Sequence, residues 1–287
     1  MLRSLSVALA RLLAIMLLAS LLGAVLMRVA PGFGSDEQEL NSSLSAQSIH
    51  AIRQARLADS DIARYYGHYV SALVRGDLGV SQSLNQPVRD LLRERLPVTL
   101  RNIVLALALA WALGLSLGVV TQVANSRALT FISEGLSGAF ISTPAAVLAL
   151  VFVLLRLPAE LAAALLVFPK IYRYCHNLLQ QSYGLPHVLV ARAKGAGRWR
   201  VLGWHVAPSV LPQLLALVGV SISIAIGVLL PIEVICDVPG IGQLAWQAAQ
   251  SRDLPLLVNL TLVVAFATVC ATMLSDAARR RFTPRSA

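Results

Sequence analysis

The chain has 287 residues, of which 57% are hydrophobic and only 13% charged, whereas soluble domains carry about 25% charged residues. This composition, with a mean hydropathy of +0.71, excludes an ordinary water-soluble domain and points to a bilayer as solvent. Lys and Arg outnumber Asp and Glu by 24 to 14, a net charge of +10, but aromatic residues are scarce and the cations sit between apolar runs, which argues against nucleic-acid binding.

A helix needs about 20 apolar residues to cross a bilayer. The first run, Leu12 to Met27, lies between Arg11 and Arg28, whose side chains can reach the two interfaces. A cleaved signal peptide beginning with Arg3 and Arg11 is the rival reading, but no convincing small-x-small cleavage site follows, which favours an uncleaved helix. The long loop after it, about Val29 to Leu96, has a polar part over residues 34–48 and a helical pattern at Ile52, Ala55, Leu57, Ile62 and Tyr66. Gly76-Asp77-Leu78-Gly79 reads as a turn, and Pro87 to Arg95 as a short amphipathic helix.

The second run, Val98 to Val123, follows Pro97, which suits a helix start. The third, Phe131 to Leu155, contains Pro144 as a kink. The fourth, Leu157 to Leu179, is broken by Pro169 and has Lys170 and Arg173 towards its inner end. Little more than Arg156 separates runs three and four, so they form a tight hairpin, with Arg156 or Glu160 at the membrane surface. The fifth and sixth runs are Val210 to Cys236 and Leu254 to Ser275. The expected fold class is an all-α polytopic membrane protein of about six spans. Its parts are an N-terminal transmembrane helix over residues 1–29, a long external loop over 30–96 and a transmembrane core over 97–287 that includes a basic loop at 181–209 before the fifth helix.

Charge sets the orientation. With the N-terminus inside and six alternating helices, the inner segments hold Arg3, Arg11, Arg127, Lys170, Arg173, Arg192, Lys194, Arg198, Arg200, Arg279, Arg280, Arg281 and Arg285, against only Glu134 and Asp276. This positive-inside pattern puts both termini in the cytoplasm, and the arginines of the long outer loop do not oppose it, because long loops translocate largely regardless of charge.

Several chemistries are missing from the sequence. No glycine-rich loop ends in Lys-Ser or Lys-Thr, and Lys194-Gly195-Ala196-Gly197 has the wrong order for one, so the chain is not expected to hydrolyse ATP. His50, His68, His176, His187 and His205 form no pair with ligand spacing. Cys175, Cys236 and Cys270 are far apart in or beside apolar runs and read as small buried hydrophobes. Glu233, at the end of the fifth span, reads either as a gate or path carboxylate or as an interfacial residue in water, and Asp237 and Asp253 beyond it read as solvated.

Three blocks carry a family resemblance. The first is Arg75-Gly76-Asp77-Leu78-Gly79-Val80-Ser81 with Pro87-Val88 and Leu96-Pro97-Val98-Thr99-Leu100. The second is Ala191-Arg192-Ala193-Lys194-Gly195 followed by His205 and Leu211-Pro212. The third is Glu233-Val234-Ile235 with Pro239-Gly240-Ile241-Gly242 and Arg252-Asp253-Leu254-Pro255. Together and in this order they resemble the permease subunit of peptide-type ABC importers, the dipeptide/oligopeptide/nickel family. The second block is similar to that family's cytoplasmic coupling loop, although its leading positions read Leu189-Val190-Ala191 here.

The resemblance implies a bacterial inner-membrane subunit forming half of a pore with a second homologous permease. It further implies two cytoplasmic ATPase subunits, which would bind ATP and Mg, and a periplasmic or extracellular substrate-binding protein. The subunit itself would be neither enzyme nor cofactor-binding protein. Ala191, Arg192, Lys194, Gly195, Arg198 and Arg200 fall in the segment that would couple to the ATPase, and Glu233, Pro239 and Gly240 where an outer gate is expected. Val188 to Lys194 lack Gly and Pro and can form a short helix, which Gly195 and Gly197 allow to end in a sharp turn.

Two readings from other classes stand beside this one. A non-transporting scaffold or sensor could retain the same fold. A secondary transporter driven by an ion gradient would show paired broken helices and buried carboxylates in related halves, and neither an internal repeat nor such carboxylates appear in the sequence.

Overall fold

A computed structural model describes residues 75–282 except Asn125, together with Ala14, Leu18, Leu21 and Ser71. The expected first span and most of the outer loop lie outside the described residues. From Val88 onward the described chain is mainly helical: α1 (Val88–Ala124), α2 (Arg127–Ser142), α3 (Ala145–Leu154), α4 (Ala159–Tyr183), α5 (Pro186–Ala193), α6 (Arg198–Val201), a π-helical turn (Leu202–Val206), α7 (Ala207–Ile235), α8 (Ile241–Gln250) and α9 (Leu254–Phe282). The chain divides into two compact units, Met1–Glu94 with Ala245–Phe266, and Arg95–Leu244 with Ala267–Ala287.

Among the described residues, Val88–Ala124, the continuous stretch Arg198–Ile235, and Pro255–Ser275 within α9 are long and apolar enough to cross a membrane. The third run divides at Pro144 into α2 and α3, which meet at 94° and pass the same test only as a pair. Proline removes a helical N–H and disfavours helix in the residue before it, and Thr143 is accordingly extended. Pro144 thus ends one helix and caps the next, a stronger effect than a kink.

Two other prolines act less than their sequence suggests. Pro97 does not open a helix but lies inside α1, which continues back through the short amphipathic segment to Val88. Pro97 and Arg93, whose carbonyl loses its helical partner, are both exposed, leaving that carbonyl to water. Pro169 does not break α4 either. It is buried there, and its carbonyl accepts the Ser137 hydroxyl at 3.4 Å. Lys170 and Arg173 fall midway along α4 rather than at its end.

In the larger unit α4 is the central element, packed by α2, α3 and α7 and burying Phe168, Ile171, Tyr172, Cys175 and Leu179. α1 approaches it through Gly114 and Gly118. A Cβ at Gly114 would lie 2.9 Å from Ile171 Cγ2, and one at Gly118 3.2 Å from Cys175 Cβ. This is the small-x-x-x-small spacing that brings membrane helices together without a hydrophobic driving force. Gly219 does the same between α7 and the end of α9, where a Cβ would strike the Ala271 carbonyl and Ser275. Ser275 donates its hydroxyl to the Ala216 carbonyl at that crossing.

The hairpin between α3 and α4 turns on Arg156, at φ 54°. Leu157 N–H bonds Phe152 O at 2.9 Å and Arg156 N–H bonds Val153 O at 3.1 Å, a Schellman cap with arginine where glycine is usual. Because Arg156 is exposed and held left-handed, Arg156→Gly is expected to raise stability by about 0.5–1 kcal/mol. The thermal midpoint of the purified subunit checks this, and a lower midpoint would show that the guanidinium contributes more than the strain costs.

Candidate functional site

The basic segment from the second block lies between α4 and α7, within the larger unit. Pro186 opens α5 at a position where its missing N–H costs nothing. The helix ends in a complete Schellman cap, with Ala196 N–H to Ala191 O at 3.2 Å and Gly195 N–H to Arg192 O at 3.0 Å. Gly195 is the left-handed residue, at φ 80° with open space around it. The backbone conformation therefore requires glycine here, and crowding does not.

One face of this segment is fixed. Val188, Val201 and Val206 are buried with Leu178 and Leu179 of α4 and Val210 of α7, and Ala191 is on the buried side. Arg198 donates from one guanidinium nitrogen to Val123 O at 2.9 Å and Ala124 O at 3.3 Å. It thereby satisfies carbonyls at the end of α1 that have no intrahelical partner. His187 Nε2 donates to His205 O at 3.3 Å, which places the proton on that nitrogen. The π turn follows from Pro208, which cannot bond back to Trp204. Ala207 N–H instead reaches Leu202 O, and Ser209 takes His205 O with its hydroxyl. The segment is joined to α1, α4 and α7 and has the packing of a rigid piece.

The opposite face is exposed and mixed. Trp199 and Trp204 are 67% and 78% exposed, with Leu189 and Val190 about half exposed. Arg192, Lys194 and Arg200 are exposed beside them. Large apolar side chains ringed by cations are what a docking surface offers.

The third block builds a second constellation, in the same unit. Glu233 is fully buried at the last turn of α7. Its Oε2 accepts the Gly242 N–H at 2.8 Å, and Thr99 Oγ1 accepts the Ile241 N–H at 2.8 Å. These are the first two amides of α8, whose N-cap position, Gly240, has no side chain to cap them. Thr99 and Glu233 supply the cap from other helices. The turn between α7 and α8 is compact, with Asp237 at φ 51° and Gly240 N–H folded onto Val238 O at 2.7 Å around Pro239. Asp237 is exposed, as expected, and accepts from Gln243, which also accepts from Arg95. A Cβ on Gly240 would fall on the Glu233 carboxyl, and one on Gly242 on the Leu230 carbonyl.

The smaller unit corrects the reading of Asp253 as solvated, because it is 1% exposed. Its Oδ1 accepts the Leu256 N–H at 3.1 Å and caps α9. Its Oδ2 accepts the Ser81 hydroxyl at 2.5 Å, the Ser83 N–H at 3.0 Å and the Ser83 hydroxyl at 2.9 Å. Burial alone would raise this carboxyl, but the bonds from Ser81, Ser83 and Leu256 outweigh it and hold it below the ordinary aspartate range. Asn259 adds a bond from its amide to Leu78 O at 2.9 Å. The Ser81 end of the first block and the Asp253 stretch of the third, 172 residues apart, are therefore joined within this unit. The sequence did contain a signal for the cap: an Asp directly before an apolar run, with Pro in the first turn. It contained none for the serines.

Helices of membrane-spanning length, with a basic segment exposed on one face between them, are those of a polytopic membrane protein. A family model described as the inner membrane component of binding-protein-dependent transport systems matches residues 112–287, and the chain belongs to this family. It is 26% identical to a putative peptide permease protein of Brucella suis biovar 1 over 91% of each chain. It is 25% identical to a probable peptide ABC transporter permease protein of Sinorhizobium fredii over 95% of each. With the dipeptide transport system permease protein of Lactococcus lactis subsp. cremoris it shares 25% identity over 88% of each.

Proposed function

We propose that this subunit forms half of the pore of an ATP-driven ABC importer for peptides or a similar small solute, paired with a second permease subunit. Two cytoplasmic ATPases, which bind ATP and Mg, drive it, and an external binding protein supplies the cargo. In this reading six spans leave both termini in the bacterial cytoplasm and residues 30–96 in the periplasm. The names of the relatives support the cargo class.

The observation that carries the reading is the two-faced coupling segment. A buried face fastened to α1, α4 and α7 can pass on a push, and the exposed face of Leu189, Val190, Trp199 and Trp204 can receive one. Arg192, Lys194 and Arg200 face the ATPase, with Arg198 at the edge, its guanidinium anchoring the segment to α1. Ala191 and Gly195 set the helix geometry, and Glu233, Pro239 and Gly240 shape the outer gate.

The test is Gly195→Val in the reconstituted complex. A β-branched residue in the left-handed region is strained by roughly 1–2 kcal/mol, and the open space means the subunit still folds and inserts. Expected is uptake reduced at least tenfold while ATP hydrolysis continues. Normal substrate-stimulated uptake in the variant would remove the coupling role.

A further inference from the structure

A further polar feature lies outside these three groups. Thr121 and Gln122 at the end of α1, Arg127 and Glu134 on α2, and His176 and Gln180 on α4 line a cavity of about 330 Å³ within the larger unit. Its place is fixed by Arg198, which bonds the last turn of α1 immediately beside it. The cavity is therefore at the same end of the bundle as the coupling segment.

The lining has a definite polarity. Arg127 and Glu134 lie two turns apart on α2, roughly 10 Å along its axis. Thr121 Oγ1 lies 2.9 Å from Leu117 O and 3.0 Å from Gly118 O, so its single proton goes to its own helix. It must then accept from His176 Nδ1, 3.2 Å away. That puts a proton on Nδ1 of the imidazole. The cavity thus offers one cation at the start of α2, a carboxylate two turns on, an imidazole and two carboxamides. A single anion or a single cation would each meet one wrong-signed group. A zwitterion with separated charges meets none.

We infer that this cavity is a binding subsite for a short free peptide on the coupling-segment side of the subunit. Arg127 takes the terminal carboxylate, Glu134 takes the ammonium group, and His176 and Gln180 bond the amides between. Extended chain covers about 3.5 Å per residue, so the gap between the two charges, shortened by the reach of both side chains, suits two or three residues. The inference rests on the proposed peptide cargo and adds where the cargo sits before release.

The experiment uses the complete reconstituted transporter with its binding protein, offered a casein-derived mixture of di- and tripeptides whose uptake is read by mass spectrometry. Arg127→Gln and Glu134→Gln should each cut uptake at least tenfold, with complex assembly unchanged. The exchange R127E/E134R should return uptake to within about threefold of the parent, because a zwitterion can bind reversed. Saturation-transfer NMR with trialanine on the solubilised complex should lose its signal in the single variants and regain it in the exchange. Single variants that import like the parent, or an exchange no better than either single variant, would overturn the subsite while leaving the peptide reading intact. A parent complex that imports no free peptide would overturn both.

Discussion

Asp253→Ala is expected to lower the stability of the subunit by about 3 kcal/mol and to abolish transport. The loss has two parts. The cap of α9 disappears, and the Ser81 hydroxyl and the Ser83 N–H and hydroxyl are left without their buried acceptor. Removing the acceptor leaves the buried Ser81 hydroxyl to bear its desolvation penalty, which exceeds the net worth of the bond itself, while the exposed Ser83 can turn to water. Asp253→Asn keeps the shape and one acceptor oxygen, so about half that loss is expected. Thermal unfolding in detergent reads both, and an alanine variant within 0.5 kcal/mol of the parent, roughly the range of ordinary surface changes, would show that the serines find other partners.

The same residue predicts a pH response with a definite sign. Its carboxyl is held below the unfolded aspartate value of 3.8, so the folded state prefers it ionised. The resulting stability is present above that value and is lost as pH falls through the lower folded value. Asp253→Asn should therefore flatten the acid limb of the stability profile and leave the neutral region displaced by a constant amount. The acid limb of the parent is expected only below about pH 4. A parent profile no steeper there than the variant's would place the carboxyl at an ordinary value.

How much of this was legible in the sequence depends on the range of the interaction. Local rules worked where one turn of chain decides the outcome. Gly76 and Gly79 take positive φ in the predicted turn, and Gly195 closes the short helix that Val188 to Lys194 permit. The proline readings failed where neighbours or solvent outvote the local rule, at Pro97 and Pro169, and understated the break at Pro144. The long-range ties were invisible. Nothing near Asp253 announces Ser81, and nothing near Gly242 announces Glu233 as the acceptor for its amide. The blocks could be recognised in the sequence, but not the hydrogen bonds that join parts of the first to parts of the third. Arg198 shows the converse: its charge was legible, and its engagement with the end of α1 was not.

Gly240→Ala is expected to be more damaging than Gly195→Ala, and the comparison between the two sites explains why. Gly195 needs glycine for its backbone, at φ 80° with no atom near a Cβ, so alanine there costs about 1 kcal/mol of strain. Gly240 has no positive φ, but its Cβ would occupy the position of the Glu233 carboxyl. That carboxyl is buried and holds the start of α8 through Gly242, so it cannot yield to a Cβ without giving up that bond. Overpacking against such a group costs about 1–3 kcal/mol, and the lost cap adds about 1 more. The physical claim is pairwise, so a double-mutant cycle can isolate it. Glu233→Asp withdraws the carboxyl by one methylene and should be harmful in the parent, yet nearly neutral or beneficial beside Gly240→Ala. A coupling energy of at least 1 kcal/mol is expected from unfolding of the four proteins. Additive effects would mean that Gly240 is needed for the backbone path of the turn and that the Glu233 carboxyl is not what excludes a side chain there.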